Sequence, residues 1–522
     1  MLLPVLSALV GCTDGGGGAA AYTLQLSPVT SASQNPFDGL DRIDLVLTPA
    51  VGDPLRVTLG VPTSGSTPEV TGLPALEETH IVVEGYSGED LVMRGRTEAL
   101  SASSGVVEAD VFVARTDAAA WMQPLAEGVH LPLVLALGDG RFWIGGGATN
   151  NRSGVAGKEN DVARILSLAP PSADLAFEDA GALPVYLDAD DNEQTARMGA
   201  TVTPLRVAGA DEGLVLVTGG AAVHPFVYDG QTTRGVALYN PASDTWETLS
   251  DENSLVDARA LHIAAENLLG NVVVWGGLGE VDGGGVLIEN TLEFYDRASR
   301  TFTSLGTADV GNLGAGLADL DTDGTLLCGG ATLGASGWES SAACVRVPLD
   351  GGELATFTEL PVGLAGAAML TLADGRVLLT GGATASTAVE SDTFAAARTS
   401  AWLYNPETSM WGALSGSMSV ARAGHRMVAL ADGRVLIAGG AESFNPFFPP
   451  ADPVSCLEVY DPADGSFTIV GSCDASDDAG GLPSRAFEPQ VAVDPDYGVL
   501  IVGGIAGDGS AVSSVSLFVP EL

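Results

Sequence analysis
The sequence predicts an all-β chain in which a small β-sandwich precedes a closed ring of seven repeated four-stranded units. Three observations predict it. The phrase LADGRVLLTGGA (Leu372 to Ala383) returns as LADGRVLIAGGA (Leu430 to Ala441). The 522 residues include 68 Gly and 28 Pro, a content suited to short strands joined by tight turns. No amphipathic run of helical period extends over twelve residues or more. A chain of this length exceeds one ordinary core, so several domains or a repeat array are expected.

The N-terminus comes first. Leu2 to Val10 is apolar but far too short to cross a bilayer, and it fits the apolar stretch of an export signal. Leu9-Val10-Gly11-Cys12 resembles the bacterial lipoprotein box, although the basic start usual in such signals is missing. The resemblance implies a signal over 1–12 and a diacylglycerol on the Cys12 thiol. Residues 13–21, with the Gly15 to Gly18 run, form a flexible tether. Thr13 stands where an Asp retains enteric lipoproteins at the inner membrane. The expected location is therefore the bacterial cell envelope, as an exported outer-membrane lipoprotein held through its lipid alone. With Cys12 set aside, Cys328, Cys344, Cys456 and Cys473 remain, in two closely spaced pairs. Two local disulfides are expected in an oxidising compartment. None of the spacings is a zinc pattern.

Residues 22–116 lack the repeat. RIDLVLTP (Arg42 to Pro49), LRVTLGV (Leu55 to Val61), THIVVEGY (Thr79 to Tyr86) and VVEADVFVA (Val106 to Ala114) read as strands separated by turn residues. An Ig-like or transthyretin-like β-sandwich is expected, acting as a spacer.

Residues 117–522 carry the repeat. In each copy Asp-Gly or a similar turn precedes a consecutive apolar run, which requires cover on both faces, and a Gly pair ends the run. Looser copies are DGRFWIGGG, EGLVLVTGG, GNVVVWGG, DGTLLCGG and YGVLIVGG, seven in all. After each Gly pair come a variable loop and a third strand, as in VALYNPASDTW (Val236 to Trp246) and WLYNPETSMW (Trp402 to Trp411). The final aromatic opens a fourth strand. Four strands per unit of about fifty residues make a β-propeller blade. The seven glycine pairs with following Tyr and Trp resemble kelch repeats, which implies a seven-bladed kelch-type β-propeller. The last unit stops after its third strand, and WMQPL (Trp121 to Leu125) matches a fourth strand without a blade. The 121–125 segment should close the ring and remove an open edge.

A sandwich ahead of a kelch ring resembles galactose oxidase. That family builds a copper site from two Tyr, two His and a cross-linked Cys. The five histidines here occur in no Tyr-His pair, so no residue is carried over. No cofactor is expected. DLDTDG (Asp319 to Gly324) opens like a calcium loop but has Gly330 at the twelfth position, and reads as a hairpin turn. LDADDNEQTA (Leu187 to Ala196) is a second acidic cluster that could hold calcium loosely. No serine carries a triad signature, and no catalytic residue is assigned.

Two sets of residues are ligand-binding candidates. Arg259-x-x-His262 and Arg422-x-x-His425 lead into first strands at equivalent points, with Arg197 and Arg485 similarly placed. They serve packing and hydrogen bonding, or they form basic groups at the ring mouth that hold a carboxylate or sugar acid. The loops after the Gly pairs carry His224, Phe226, Tyr228, Trp338, Phe394, Phe444, Phe447 and Phe448. These pack on their own blades, or they form a surface for carbohydrate or a basic peptide.

The net charge of −44 repels nucleic acid and anionic lipid, and suits salt tolerance. The expected function is non-enzymatic binding or interaction scaffolding at the envelope, with a protein or glycan partner. The alternative is carbohydrate binding, or a sugar-acting, mutarotase-like activity, at the propeller mouth.

Overall fold
The computed structural model describes residues 6–7, 21–30, 35–61, 69–74, 78–101, 106–149, 163–168, 177–180, 183–187, 193–194, 197–221, 232–280, 286–334, 337–384, 396–444, 452–473 and 481–521. Among them there is no α-helix; Asp251–Asn253 and Asp321–Asp323 are single 3-10 turns. Cys12 and most of the acidic insertion lie outside the described residues. Of that insertion, Tyr186–Leu187 pairs with Glu193–Gln194.

The N-terminal strands alternate in burial, as in Thr79–Ser87, where Ile81 and Val83 point inward and His80 and Val82 are half-buried. Inward residues such as Leu24, Leu45, Leu47, Ile81, Val83, Val111 and Val113 share one core. The strands form a single hydrogen-bonded path of eight instead of two separate sheets. Ala21–Pro28 causes this. It pairs in parallel with Val106–Arg115 on one side and antiparallel with Glu69–Pro74 on the other.

From Ala119 onward the described strands form seven further sheets of four principal strands, besides two short hairpins. Their innermost strands are Leu133–Gly138, Thr201–Pro204, Ile263–Glu266, Leu313–Asp319, Ala365–Thr371, Arg426–Ala429 and Gln490–Asp494. Each touches the next, and the seventh touches the first, so the strands circle a common axis. These are called the first to seventh sheets below.

The outermost strand of the seventh sheet is Ala119–Trp121, antiparallel to Val515–Phe518. It starts two residues earlier than WMQPL. Main-chain bonds from Met122 to Val515 and from Leu125 to Ser513 continue the contact along that segment.

The consecutive apolar residues of the second strands have a direct cause. Every residue of Val435–Ala438 is buried. Val435 packs with Leu378 of the fifth sheet, and Leu436 packs with Val499 and Ile501 of the seventh. Alternate side chains thus enter two different inter-sheet cores, each buried Val or Leu contributing roughly 1.5–3 kcal/mol. On the third and fourth strands the repeated aromatics meet across the ladder, Tyr239 on Trp246 and Tyr460 on Phe467, with centroids 4.7 and 4.8 Å apart.

The glycine doublets sit where the chain leading into the next sheet crosses. Gly381 has φ +61°, and a Cβ there would lie 2.2 Å from the Arg422 carbonyl oxygen. Five second strands stop at or before the doublet. In the fourth and fifth sheets, Thr325–Gly334 and Val377–Ala383 run through it, because the first glycine of the doublet is itself paired, Gly329 with Ala315 and Gly381 with Ala367. DLDTDG forms the turn between the first two strands of the fourth sheet. Both disulfides are present, Cys328–Cys344 and Cys456–Cys473.

Candidate functional site: the axial cavity
The arginines expected at the mouth are structural. Arg259 and Arg422 are fully buried. Arg422 Nη1 donates to the carbonyls of Gly439 (2.8 Å) and Cys456 (2.9 Å), and Nε donates to Glu458. Glu458 also accepts the backbone N–H groups of Ser419 and Val420. The third sheet repeats the device: Arg259 bonds the Gly276 and Thr291 carbonyls and Glu293, which accepts from Val256 and Asp257. Arg197, also buried, donates to the Gly235 carbonyl. Arg259 and Arg422 clamp the lead-in loop to the doublet and the third strand, and Arg197 ties it to the residue before the third strand, so none of the three presents its guanidinium to the axis. Arg485 is exposed and one residue out of register. Its neighbour Ala486 takes the arginine place, since Gly440 N bonds the Ala486 carbonyl as Gly382 N bonds that of Arg422.

His262 and His425 lie on the axial wall but turn toward the preceding sheet. His262 Nε2 lies 3.0 Å from both Thr201 and Thr218, and His425 Nε2 lies 2.8 Å from Thr380. Burial, then the nearby arginine charge, pushes His425 down to about 3 and His262 well below its usual value. Both are neutral at physiological pH.

Five-residue lead-ins to the seven innermost strands align as HLPLV, MGATV, ALHIA, LGAGL, AGAAM, AGHRM and FEPQV, beginning at His130, Met198, Ala260, Leu313, Ala365, Ala423 and Phe487. Their second residues are Leu131, Gly199, Leu261, Gly314, Gly366, Gly424 and Glu488. All seven have positive φ, between +49° and +68°, and all seven line one cavity on the axis. Main-chain bonds lace part of this ring: Leu261 N to Gly199 O, Gly424 N to Gly366 O, and Glu488 N to Gly424 O. The left-handed backbone costs a non-glycine residue roughly 1–2 kcal/mol. Leu131, Leu261 and Glu488 show that the lead-in adopts this conformation even with a side chain present.

The cavity measures about 340 Å3, at the small end of ligand pockets. Its wall has two characters. One arc, on the third to fifth sheets, is apolar or bare backbone: Leu261, Ile263, Leu313, Gly314, Gly366 and Ala367. The opposite arc carries Arg426, Glu488 and Gln490. Arg426 Nε donates to the Pro489 carbonyl (3.3 Å), and Gln490 Nε2 to that of Glu488 (3.2 Å). Burial lowers the Arg426 pKa while the Glu488 charge raises it; a guanidinium nevertheless stays protonated. Glu488 Oε2 lies 3.9 Å from His130 Nε2 on the first sheet's lead-in. Among the described lining residues, Arg426 is the single cation and Glu488 the single carboxylate.

Phe444 was expected on an exposed loop. It is buried, and its ring reaches back over the cavity. A Cβ on Gly366 would meet the ring at 2.8 Å, and one on Gly314 at 3.2 Å. Its ring centroid is 6.2 Å from that of Phe487. Trp338 is half-buried against the same apolar cluster. His224, Phe226, Tyr228, Phe394, Phe447 and Phe448 lie outside the described residues. Among the described residues, no group of three or more His, Cys, Asp or Glu could hold a metal ion.

Sequence reasoning missed Glu293, Glu458, His130, Arg426, Glu488 and Gln490. Aligning the seven lead-ins to one another would have singled out Glu488.

No protein-family profile and no curated protein sequence matches the chain. Among solved structures it is similar to a fungal alcohol oxidase of the AA5 family in complex with copper, at 14% identity and a TM-score of 0.55, over 77% of this chain and 76% of that one. It is also similar to YjhT, at 16% identity and a TM-score of 0.45, over 67% of this chain and 99% of that one. At such identity the oxidase likeness shows the fold alone, a kelch-like β-propeller.

Proposed function
We propose that the chain is an exported, lipid-anchored kelch-type propeller of seven blades that binds a small polar ligand in its axial cavity without transforming it. The observation that carries this reading is the cavity wall, where Arg426, Glu488 and Gln490 stand among neutral and apolar groups. Half-buried groups of opposite charge on a cavity wall suit recognition of a polar ligand that hydrogen-bonds to both. The cyclic contact of seven sheets supports the blade count. The N-terminal sheet, expected to be an Ig-like or transthyretin-like sandwich, serves as the spacer between anchor and ring. Two disulfides support export.

Binding is tested by thermal shift of the full chain against a collection of small polar metabolites. At least one should raise the melting temperature, and Arg426→Ala should abolish that shift. A collection that leaves the chain unmoved removes the reading. The anchor is tested by labelling cells with radioactive palmitate: the wild type should incorporate it and Cys12→Ala should not.

A further inference from the structure
We infer that the junction between the N-terminal sheet and the ring binds one small monovalent anion of chloride size, held by Arg94, Arg96 and Tyr497. The site is separate from the axial cavity, and its occupant fastens the two parts of the chain to each other.

The two parts share a packed boundary. Val29 and Ala114 of the N-terminal region are buried in one core with Leu168 beside the first sheet and Leu517 of the seventh. Within that boundary lies a small cavity of about 20 Å3. Its wall includes Arg94 and Arg96 from the strand Asp90–Arg96, and Phe112 from Val106–Arg115. Asp496 and Tyr497 reach it from the turn between the first two strands of the seventh sheet. One water needs roughly 10–15 Å3, so the space suits a single small particle.

The charge on this wall does not balance. Arg96 Nη1 donates to Asp496, the one carboxylate among the lining residues. Arg94 is half-buried and makes no hydrogen bond or ion pair among the described residues. Burial, then the Arg96 charge, pushes the Arg94 pKa below its usual value, although a guanidinium stays protonated. Two cations against one carboxylate leave one positive charge over. The Asp496 side chain is 54% exposed, so water screens much of its charge. Acids just beyond the wall are engaged elsewhere. Glu84, opposite Arg94 in the ladder, pairs with Arg56 at 3.0 Å and accepts from the Tyr86 hydroxyl at 2.9 Å. Asp494 accepts the backbone N–H groups of Gly140, Asp496 and Tyr497. Glu98 and Asp139 are exposed.

Donors are left over as well. Arg96 Nε and the Tyr497 hydroxyl are both buried and bond to no described group. Tyr497 is 8% exposed, and burial raises its pKa, so the phenol keeps its proton as a donor. A buried donor without an acceptor is costly. One anion among Arg94, Arg96 and Tyr497 accepts from all three and cancels the surplus charge. A water would accept the hydrogen bonds and leave the charge. Sulfate, phosphate and carboxylate ligands are too large for the space, and a metal cation would meet two guanidinium groups.

Two measurements on the full chain test this. Crystals soaked in sodium bromide would be examined by anomalous scattering, and melting would be followed in sodium chloride and in sodium gluconate at equal ionic strength. Gluconate is too large for the cavity. Bromide should give a peak among Arg94, Arg96 and Tyr497. The wild type should melt about 2 °C higher in chloride than in gluconate. Arg94→Met keeps the apolar stem and removes the surplus charge. It should melt at or above the wild type in gluconate and lose most of the chloride increment. Tyr497→Phe should need about tenfold more chloride for the same increment. A crystal without a bromide peak at the junction would overturn the inference. So would a chloride increment unchanged in either variant, because chloride would then act elsewhere.

Discussion

Arg422 and Glu458 form an ion pair, Nε to Oε1 3.1 Å, with neither side chain exposed to solvent. Arg259 and Glu293 repeat it in the third sheet, equally buried. The four residues lie at equivalent positions of the third and sixth sheets, so the same device is used twice in the ring. Charge burial is tolerated here because each carboxylate also accepts two backbone N–H groups and each guanidinium donates to carbonyls.

Removing one member should therefore be severe. Glu458→Gln or Arg422→Leu should destabilise the chain by about 3–5 kcal/mol, since the partner is left charged and buried. Chemical denaturation at neutral pH measures this. A loss under about 1 kcal/mol would mean that water reaches the pair.

The buried histidines make stability depend on pH. Folded His425 titrates at about 3, whereas an unfolded histidine titrates near 6.5. Between those values the unfolded chain binds more protons, so stability is full above about 6.5 and falls as the pH drops toward 3. His262 shifts in the same direction. Each histidine can contribute up to roughly 1.4 kcal/mol per pH unit within the window. The denaturation midpoint should fall from pH 7 to pH 5, and a His262→Gln, His425→Gln double variant should lose much of that slope. An unchanged slope in the double variant would assign the effect to other groups.

Closure of the ring can be tested covalently. Ala120 stands opposite Leu517 in the register of the closing strand. Ala120→Cys with Leu517→Cys should form a third disulfide on oxidation, raising stability by up to about 5 kcal/mol because the closed loop is very long. Peptide mapping of the oxidised protein reads the cross-link directly. Two thiols that stay free would place the first strand of the ring elsewhere.

Gly366 measures how closely the mouth is packed. Gly366→Ala puts a methyl 2.8 Å from the Phe444 ring at φ +68°. The expected loss is about 1–3 kcal/mol, from backbone strain and overpacking together. Adding Phe444→Leu should restore the packing part and not the backbone part. A double variant no better than the single would separate Phe444 from this contact.

The charge excess makes a further prediction. At −44 the folded chain repels itself. Raising salt from about 10 mM to about 1 M shortens the screening length from ~30 Å to ~3 Å. The melting temperature should rise across that range. A fall would indicate that specific ion pairs outweigh the general repulsion.

Much of the architecture could be read from one line of residues, and the reason is physical. A blade cannot bury its faces alone, so each unit must carry its own apolar second strand, glycine doublet and aromatic pair, and these recur at a visible spacing. The orphan segment near Trp121 and the paired cysteines were legible because each left something uncompleted: a sheet without its edge, a thiol without its partner. Side-chain direction was not legible. Arg259 and Arg422 look alike as surface cations or as buried clamps until Glu293 and Glu458, more than thirty residues away, are brought beside them. Arg485 matched the pattern by residue type and missed it by register, which main-chain bonding alone sets. Phe444 sat on an apparent loop until its ring was placed over Gly366. Sequence thus determined the repeating unit and the closure of the ring, because both are local and periodic. Tertiary structure decided what the axis holds. The cavity is assembled from one short segment of every sheet, and Glu488 acquires its position only when all seven segments meet.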